Sequence, residues 1–283
     1  MDSIVSLPDG RQLGYAEYGR PAGEPVFYFH GFPGSRLEAR LLHASAEKAG
    51  VRIIAPDRPG CGLSTYQPQR TLLDWPADLA ALADALKIAS FGVVGISGGG
   101  PYALACAMKM PGRIAATTLI SSLGSLDCPG ATQGMGLSDS IFLALAGRLP
   151  WLAQGILGLL ARIDLAWLLK QTVADLCPRD QAALADPQIW QMLLDETGEA
   201  FRQGTRGVVH DAAIYKRPWG FCPQEITLPV MLWQGEADHE VPLRIGRALA
   251  QTLPNCRAHF IPEEGHISLA YHHMDEILGE VMR

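Results

Sequence analysis

The stretch FGVVGISGGGP, residues 91–101, decides the fold of this chain of 283 residues. It begins as a short apolar run that is typical of a buried strand, and it ends in a proline that suits the first turn of a helix. Between the two, residues 95–99 have the pattern G-x-S-x-G around Ser97. A sharp strand-to-helix turn of this kind strains the serine backbone, projects its hydroxyl above the sheet and needs small neighbours. The stretch therefore predicts a nucleophilic Ser97 at the carboxyl end of a strand.

Two other interpretations of these glycines are weaker. The serine could be incidental in a glycine-rich turn, but the strand before it and the helix after it favour the catalytic interpretation. A loop that cradles phosphate would require a Lys-Ser or Lys-Thr pair after the glycines, and residues 98–101 read GGGP.

Strand and helix patterns alternate along most of the chain. Apolar runs predict strands at residues 3–7, 12–18, 25–30, 51–55, 91–95, 114–120, 229–234 and 258–262. Helical patterns occupy residues 36–48, 72–86, 101–110, 243–253 and 269–282. Nearly uninterrupted apolar strands that alternate with helices are typical of a parallel sheet covered on both faces. The sequence therefore predicts an α/β fold whose first two strands form a hairpin.

This alternation is interrupted once, after Ser125. Between there and residue 225 no strand pattern occurs, and helical patterns follow one another at residues 139–148, 151–162, 165–173, 187–199 and 205–215. We therefore expect one α/β core, residues 1–124 and 225–283, that carries a helical insertion at residues 125–224.

Composition and charge exclude several classes of protein. The 48% hydrophobic content is enough for a core and excludes a disordered chain, while a net charge of −6 offers no basic face to a nucleic acid. The most apolar region, residues 140–170, is interrupted by charged residues and proline, so no transmembrane segment is expected. The start of the chain lacks the pattern of a secretory signal. We therefore expect a soluble, cytoplasmic protein.

The cysteines give no sign of a disulfide framework or a zinc site. None of them forms a C-x-x-C pair, and reduced thiols are the expectation in a chain without an export signal. The six positions are Cys61, Cys106, Cys128, Cys177, Cys222 and Cys256. We expect neither a metal nor an organic cofactor.

An activated serine needs a base, and the base needs a carboxylate that orients it. His266 ends the sequence EEGH, in a predicted loop after the last strand pattern, and Asp238 ends GEAD after the strand at residues 229–234. Both lie at carboxyl ends of strands, at the same edge of the sheet as Ser97. The chain order Ser97, Asp238, His266 also fits this arrangement. These three residues are the predicted catalytic triad.

The acid of this triad has alternatives in the sequence. Asp127 follows the sixth predicted strand, and Glu236 and Glu240 flank Asp238, so each is an alternative. An ionised partner should raise the pKa of His266, and activity should then rise through one ionisation between about pH 6 and 7.5.

Acyl transfer also needs donors for the developing oxyanion. The backbone N–H of Gly98, directly after the nucleophile, can supply one. The loop HGFPG, residues 30–34, follows the third strand pattern and can supply the other. Because Pro33 has no N–H, Phe32 is the predicted second donor.

Five motifs are spread along most of the chain: HGFPG at 30–34, DRPGCGLS at 57–64, GISGGGP at 95–101, GEADHEVP at 235–242 and EGHISL at 264–269. Together they resemble the α/β-hydrolase superfamily, in its lidded, esterase-like branch. The resemblance implies a mostly parallel eight-stranded sheet with helices on both faces and a helical cap inserted after the sixth strand. It also implies structural roles for Asp57 and Arg58.

The resemblance to individual branches of the superfamily is less sharp. Haloalkane dehalogenases and epoxide hydrolases of this fold have an aspartate where this chain has Ser97. Proline-iminopeptidase relatives usually have tryptophan at the position of Gly98, and cofactor-free haloperoxidases and C–C bond hydrolases have methionine or another bulky residue there. The chain matches none of these patterns.

The predicted function is therefore a serine hydrolase that cleaves small to medium carboxylic esters through an acyl-enzyme. A lactonase, an aminopeptidase and a C–C bond hydrolase with the same triad are alternatives, and a small-molecule receptor on a hydrolase scaffold is the alternative from another class. The expected partner is a small ester-like molecule, with no nucleic acid and no transmembrane segment. The sequence leaves a homodimer open.

Two features of the insertion allow more than one interpretation. Its apolar residues could line an acyl pocket, pack against the core or contact lipid; they are Phe142, Leu143, Leu145, Leu149, Trp151, Leu152, Ile156, Leu157, Leu159 and Leu160. The acidic residues Asp195, Glu196 and Glu199 fit a solvated helix face better than a site for a substrate amine.

Overall fold

The computed structural model describes residues 2–127, 130–160 and 163–281, and within them eight strands form one sheet. The strands are β1 Asp2–Ser6, β2 Gln12–Gly19, β3 Glu24–Phe29, β4 Val51–Pro56, β5 Phe91–Ile96, β6 Ile114–Ile120, β7 Val230–Gly235 and β8 Cys256–Ile261. Their order is β1-β2-β4-β3-β5-β6-β7-β8. β2 runs antiparallel to both of its neighbours, and all other neighbouring strands are parallel. The predicted hairpin and the mostly parallel eight-stranded sheet are confirmed.

Helices cover both faces of this sheet. The core helices are α1 His43–Ala49, α2 Trp75–Ala85, α3 Gly100–Lys109, α10 Leu243–Thr252 and α11 His266–Val281. α1 and α11 pack together on one face, while α2, α3 and α10 contribute to the apolar cluster on the other. Val93 and Val94 of β5 are adjacent in the chain and fully buried in opposite clusters. Burial on both faces explains the continuous apolar runs of the central strands.

Several element boundaries differ from the sequence prediction. The helix predicted at residues 36–48 is a 3₁₀ helix, Arg36–Leu42, followed by α1, and the helix predicted at 72–86 is a 3₁₀ helix, Leu72–Asp74, followed by α2. His266 is the first residue of α11 rather than a loop residue. The predicted helix ends at 162 and 282 lie outside the described residues.

Among the described residues, six α-helices lie between β6 and β7, in the region predicted as an insertion. They are α4 Leu137–Arg148, α5 Pro150–Leu160, α6 Leu165–Val173, α7 Pro178–Leu184, α8 Pro187–Ala200 and α9 Arg206–Tyr215. The sequence missed α7, which has only seven residues and shows too little periodicity for a prediction. α9 packs against α4 and α5, α8 against the Arg36–Leu42 helix, and α7 against α11.

The apolar residues of α4 and α5 do not form one continuous pocket lining. Leu143 is buried, and Phe142, Leu145 and Leu157 pack against the core, but Trp151 and Leu159 are 69% and 64% exposed. Packing against the core, one of the three interpretations of these residues, thus applies to part of the set.

No single helix in the described part of the chain is both long and apolar enough to cross a membrane. The pair α5 and α6 reaches that length and apolar content when taken together, but it is bent by 106°.

A buried ion-pair network fastens α9 to the core. Arg58 Nε donates a hydrogen bond to Asp211 Oδ2 at 2.6 Å, and Arg70 Nη2 pairs with Oδ1 of the same carboxylate, which also accepts from Tyr102 at 2.8 Å. Burial by itself raises the pKa of Asp211, but the two guanidinium groups outweigh it and hold the pKa below its usual range. Arg58, Arg70 and Asp211 are each at most 2% exposed.

Replacing Asp211 by alanine should destabilise the protein strongly, because two buried guanidinium groups would lose their counter-charge. We expect a loss of about 3–5 kcal/mol in the free energy of unfolding, measured by urea denaturation. The control Asp84→Ala removes a carboxylate that is 69% exposed and paired with Arg113, and should cost less than about 1 kcal/mol. Equal losses in the two variants would contradict the structural role of the network.

Candidate active site

Ser97 lies at the tip of the turn between β5 and α3. It begins a 3₁₀ helix, Ser97–Gly99, and has a positive φ of 50°, the left-handed geometry expected of a strained nucleophile turn. A side chain at Gly95 would place its Cβ 2.6 Å from the carbonyl oxygen of Gly99, so only glycine fits this turn. The G-x-S-x-G pattern is thus explained by close backbone approach.

His266 and Asp238 meet at the same edge of the sheet. The distance between His266 Nδ1 and Asp238 Oδ2 is 2.9 Å. Asp238 is held in place because its other oxygen accepts from the backbone N–H of Glu240 at 2.9 Å and of Val241 at 2.8 Å. With Nδ1–H donating to a carboxylate, Nε2 is the ring nitrogen left to accept a proton.

A buried aspartate that the sequence analysis missed fixes the position of His266. The carboxylate of Asp180, from α7, accepts the backbone N–H groups of His266, Ile267 and Ser268 at 2.8–3.0 Å. These are donors that the first turn of α11 cannot satisfy internally. No local signal could reveal this cap, because Asp180 is 86 residues from His266 in the chain.

The structure does not close the triad. Among the described residues no hydrogen bond joins Ser97 Oγ to His266, and His266 Nε2 lies 3.5 Å from Glu240 Oε2 instead. From the sequence, Glu240 was only an alternative to Asp238 as the acid of the triad. It is a second carboxylate on the same imidazole.

These two carboxylates control the ionisation of His266. Burial lowers the pKa of His266, but Asp238 and Glu240 outweigh it and raise the pKa to about 10. The pKa of His266 is raised, as the sequence predicted. It is raised further than expected because the charge of Glu240 adds to that of Asp238. An imidazole must be neutral to act as a base, so His266 could act as one only at alkaline pH.

Phe32 and Gly98 lie next to each other at the turn between β5 and α3. A methyl group at Gly98 would come within 2.7 Å of Phe32 Cβ and 2.6 Å of the Tyr215 hydroxyl, which donates to the Gly98 carbonyl at 3.0 Å. Tyr215 and Phe32 therefore occupy the space that a bulky residue after the nucleophile would need. Among the described residues the N–H of Phe32 has no acceptor, so it is available to a ligand.

Arg58 shapes the loop that carries Phe32. Its Nη1 donates to the His30 carbonyl at 2.5 Å and its Nη2 to the Gly31 carbonyl at 2.6 Å. Burial, with Arg58 nearby, lowers the pKa of His30 well below its usual value, so this histidine is neutral. Asp57 accepts the backbone N–H groups of Arg36 and Leu63 at 2.7 and 2.9 Å. The contacts of Asp57 and Arg58 agree with the structural roles predicted for them.

The other groups predicted from the sequence give no further site. Cys61, Cys106, Cys177, Cys222 and Cys256 are free thiols, and Cys128 lies outside the described residues. Within those residues no group of three or more histidine, cysteine, aspartate or glutamate side chains is arranged to hold a metal ion.

Comparison with known proteins adds the family context. A family model described as the alpha/beta hydrolase fold matches residues 24–272. The chain is 33% identical over 140 residues to a non-heme chloroperoxidase of Streptomyces lividans and 37% identical over 129 residues to an epoxide hydrolase of Caballeronia sordidicola. These matches cover 49% and 44% of this chain but only 51% and 37% of the relatives.

Solved structures resemble the chain over its whole length. An esterase of Exiguobacterium antarcticum superposes with a TM-score of 0.75, covering 100% of this chain and 98% of the other at 17% identity. At that identity the likeness establishes the fold alone.

Removing the second carboxylate should lower the pKa of His266. In Glu240→Gln we expect the pKa to fall by about one unit or more, because one of two adjacent negative charges is lost. The imidazole C–H resonances in an NMR titration measure the pKa directly, and the midpoint of the rise in kcat/KM with pH should fall with it. The control Glu236→Gln removes a carboxylate that pairs with Arg247. An unchanged pKa in Glu240→Gln would show that Glu240 does not control His266.

Proposed function

We propose that this chain, which belongs to the α/β-hydrolase family, is a serine hydrolase that cleaves small to medium carboxylic esters through an acyl-enzyme. The observation that carries the proposal is a serine in a left-handed strand-to-helix turn, at the same sheet edge as a paired histidine and aspartate. This arrangement supports nucleophilic attack by Ser97 with His266 as the base and Asp238 as its orienting carboxylate.

The first half of the reaction forms the acyl-enzyme. Ser97 Oγ attacks the ester carbonyl while His266 Nε2 takes its proton, and the backbone N–H groups of Phe32 and Gly98 donate to the oxyanion. The C–O bond to the alcohol then breaks, and His266 returns the proton to the departing oxygen. His266 Nε2 lies 3.5 Å from Glu240 Oε2, so for the first step the imidazole must exchange this contact for one with Ser97 Oγ.

The second half releases the acid. A water molecule gives its proton to His266 Nε2 and attacks the acyl carbonyl, and the proton then passes to Ser97 Oγ as the carboxylic acid leaves. No step of this mechanism requires a metal or an organic cofactor.

We propose that residues 125–224 act as a cap over this site. Ser97 is 8% exposed and His266 7% exposed, which is expected of a site covered by other parts of the chain. Phe142 of α4 stacks on Phe32, with ring centroids 6.3 Å apart. Movement of α4 would therefore open the space above Phe32. A cytoplasmic location and a homodimer remain predictions from the sequence.

Replacing the nucleophile should abolish turnover. Ser97→Ala is expected to lower kcat for 4-nitrophenyl acetate and butyrate by about 10⁴-fold or more, with an unchanged thermal unfolding midpoint. The control Ser125→Ala changes an exposed serine that donates to Asp127. Retention of a tenth of the activity in Ser97→Ala would refute the serine mechanism.

Covalent labelling tests the same site without mutagenesis. A fluorophosphonate should form one P–O bond, to Ser97 Oγ, with release of fluoride, and the labelled protein should be inactive. Denatured protein should not be labelled, because only the folded site activates the serine. Steady turnover also separates an esterase from a receptor, which would release one equivalent of nitrophenol and stop.

The acid can be assigned by comparing two aspartates. Asp238→Asn keeps the volume of the side chain but favours the wrong tautomer of His266, and should lower kcat by about 10³- to 10⁴-fold. Asp127→Asn should have little effect, because Asp238 is the partner of His266 Nδ1. The reverse order of effects would make Asp127 the acid.

A further inference from the structure

A glutamine inside the sheet contacts the carboxylate that orients His266. Gln234 lies near the end of β7, and its side chain is fully buried. Side chains two residues apart in a strand point to the same face, and on this face Val230 and Leu232 belong to the apolar cluster that α10 also joins. The amide of Gln234 therefore interrupts an apolar surface. The proposed ester hydrolysis gives this amide no role.

The amide nitrogen of Gln234 is surrounded by oxygen atoms. Nε2 donates to the Val241 carbonyl at 2.9 Å, to Asp238 Oδ2 at 3.2 Å and to the Gly235 carbonyl at 3.3 Å. All three oxygens are acceptors, so the opposite orientation of the amide would place Oε1 against them and lose every one of these hydrogen bonds. The surroundings therefore determine which way the amide points.

The oxygen of the same amide has no partner. Gln234 Oε1 is buried without a hydrogen bond among the described residues. A methyl group at Gly246 of α10 would lie 2.9 Å from both Cγ and Oε1 of Gln234, so a larger residue there would collide with the side chain. A buried acceptor without a donor destabilises the folded state. Stability alone therefore does not explain a glutamine at this position.

Gln234 completes the set of donors around Asp238. Oδ1 accepts the backbone N–H groups of Glu240 and Val241, while Oδ2 accepts Nδ1–H of His266 and Nε2–H of Gln234. A carboxylate that is held at one oxygen can still rotate about its Cβ–Cγ bond, because that torsion has broad minima. A second oxygen that is held by a group other than the imidazole fixes the plane of the carboxylate.

The imidazole itself cannot fix that plane, because it must move during the proposed reaction. His266 Nε2 lies 3.5 Å from Glu240 Oε2 and has to reach Ser97 Oγ. If the imidazole were the only group at Oδ2, the carboxylate could turn when the ring moves. Gln234 belongs to β7, which is hydrogen-bonded to β6 and β8 within the sheet. Its amide therefore holds Oδ2 from a rigid element.

We propose that Gln234 is a positioning residue of the active site. Its amide fixes Oδ2 of Asp238, so that the carboxylate keeps its hydrogen bond to Nδ1–H of His266 while the imidazole moves from Glu240 to Ser97. Gln234 is fully buried, so it touches no substrate and acts through Asp238. This inference rests on the proposed function, since it takes Asp238 and His266 as the pair that transfers the proton.

Replacing Gln234 by methionine removes the amide and keeps an unbranched side chain of similar length. We expect kcat for 4-nitrophenyl butyrate to fall by about tenfold or more, because a hydrogen bond to a charged group is lost. Both halves of the reaction use the same aspartate and histidine, so both should slow together and KM should stay unchanged. The matched control, Gln191→Met, removes an exposed hydrogen bond from Gln191 Nε2 to Asp195 Oδ1 at 2.8 Å and should leave kcat unchanged.

Stability separates a positioning role from a packing role. Gln234→Met exchanges one unpaired acceptor, Oε1, for another, the Val241 carbonyl, so the free energy of unfolding in urea should stay close to that of the unaltered protein. Loss of kcat at unchanged stability would support the positioning role. An unchanged kcat, or a loss of kcat that comes with a lower free energy of unfolding, would overturn it.

The proton between His266 and Asp238 gives a second readout, by NMR. A strongly hydrogen-bonded Nδ1–H proton resonates far downfield of the backbone amide protons. In Gln234→Met the carboxylate is free to rotate, so this resonance should move or broaden, whereas in Gln191→Met it should keep its position and width. An unchanged resonance in Gln234→Met would show that the amide does not fix the carboxylate.

The outcomes separate this inference from the proposed function. Fluorophosphonate labelling of Ser97 at the same rate in the unaltered protein and in Gln234→Met would overturn the role of Gln234 and leave the serine hydrolase intact. Absence of both labelling and ester turnover in the unaltered protein would overturn the serine hydrolase, and the role of Gln234 with it.

Discussion

The buried guanidinium of Arg58 is the interaction on which the rest of the site depends. A charge that is 1% exposed is tolerated only when every donor has a partner. Its partners are Asp211 in α9 and the carbonyls of His30 and Gly31, directly before Phe32. One side chain thus joins the inserted helices to the loop that faces Ser97. Loss of Arg58 would therefore remove a hydrogen-bond donor from both of these parts at once.

A second long-range contact places the histidine. The parallel sheet brings the loops after β5, β7 and β8 to one edge, but it does not determine where α11 begins. Asp180 of α7 determines that, because its carboxylate takes up the first N–H groups of the helix. Arg179, its neighbour in the chain, adds ion pairs to Glu263 and Glu264. The helices between β6 and β7 therefore help to hold His266 in position.

The electrostatics of the site follow from how few cations face it. Arg58 and Arg36 are both used by structural carboxylates, so the acids near Ser97 have mainly His266 as a counter-charge. An imidazole among carboxylates holds its proton to higher pH, and carboxylates without cations resist ionisation. Carboxylates raise the pKa of His266, whereas burial is the main cause of the raised pKa values of Glu38 and Glu196.

The sequence by itself determined the features that arise from local pattern. Apolar runs predicted the strands, and the glycines predicted the turn at Ser97. The ends of the strands pointed to Asp238 and His266. Each of these signals lies within a few residues of the feature that it predicts. The tertiary structure decided what depends on residues far apart in the chain. Asp180 caps a helix 86 residues away, Glu196 faces inward rather than to water, and Trp151 faces outward although it is apolar. Those orientations depend on which helices pack together, and that packing minimises free energy over the whole chain rather than over any one segment.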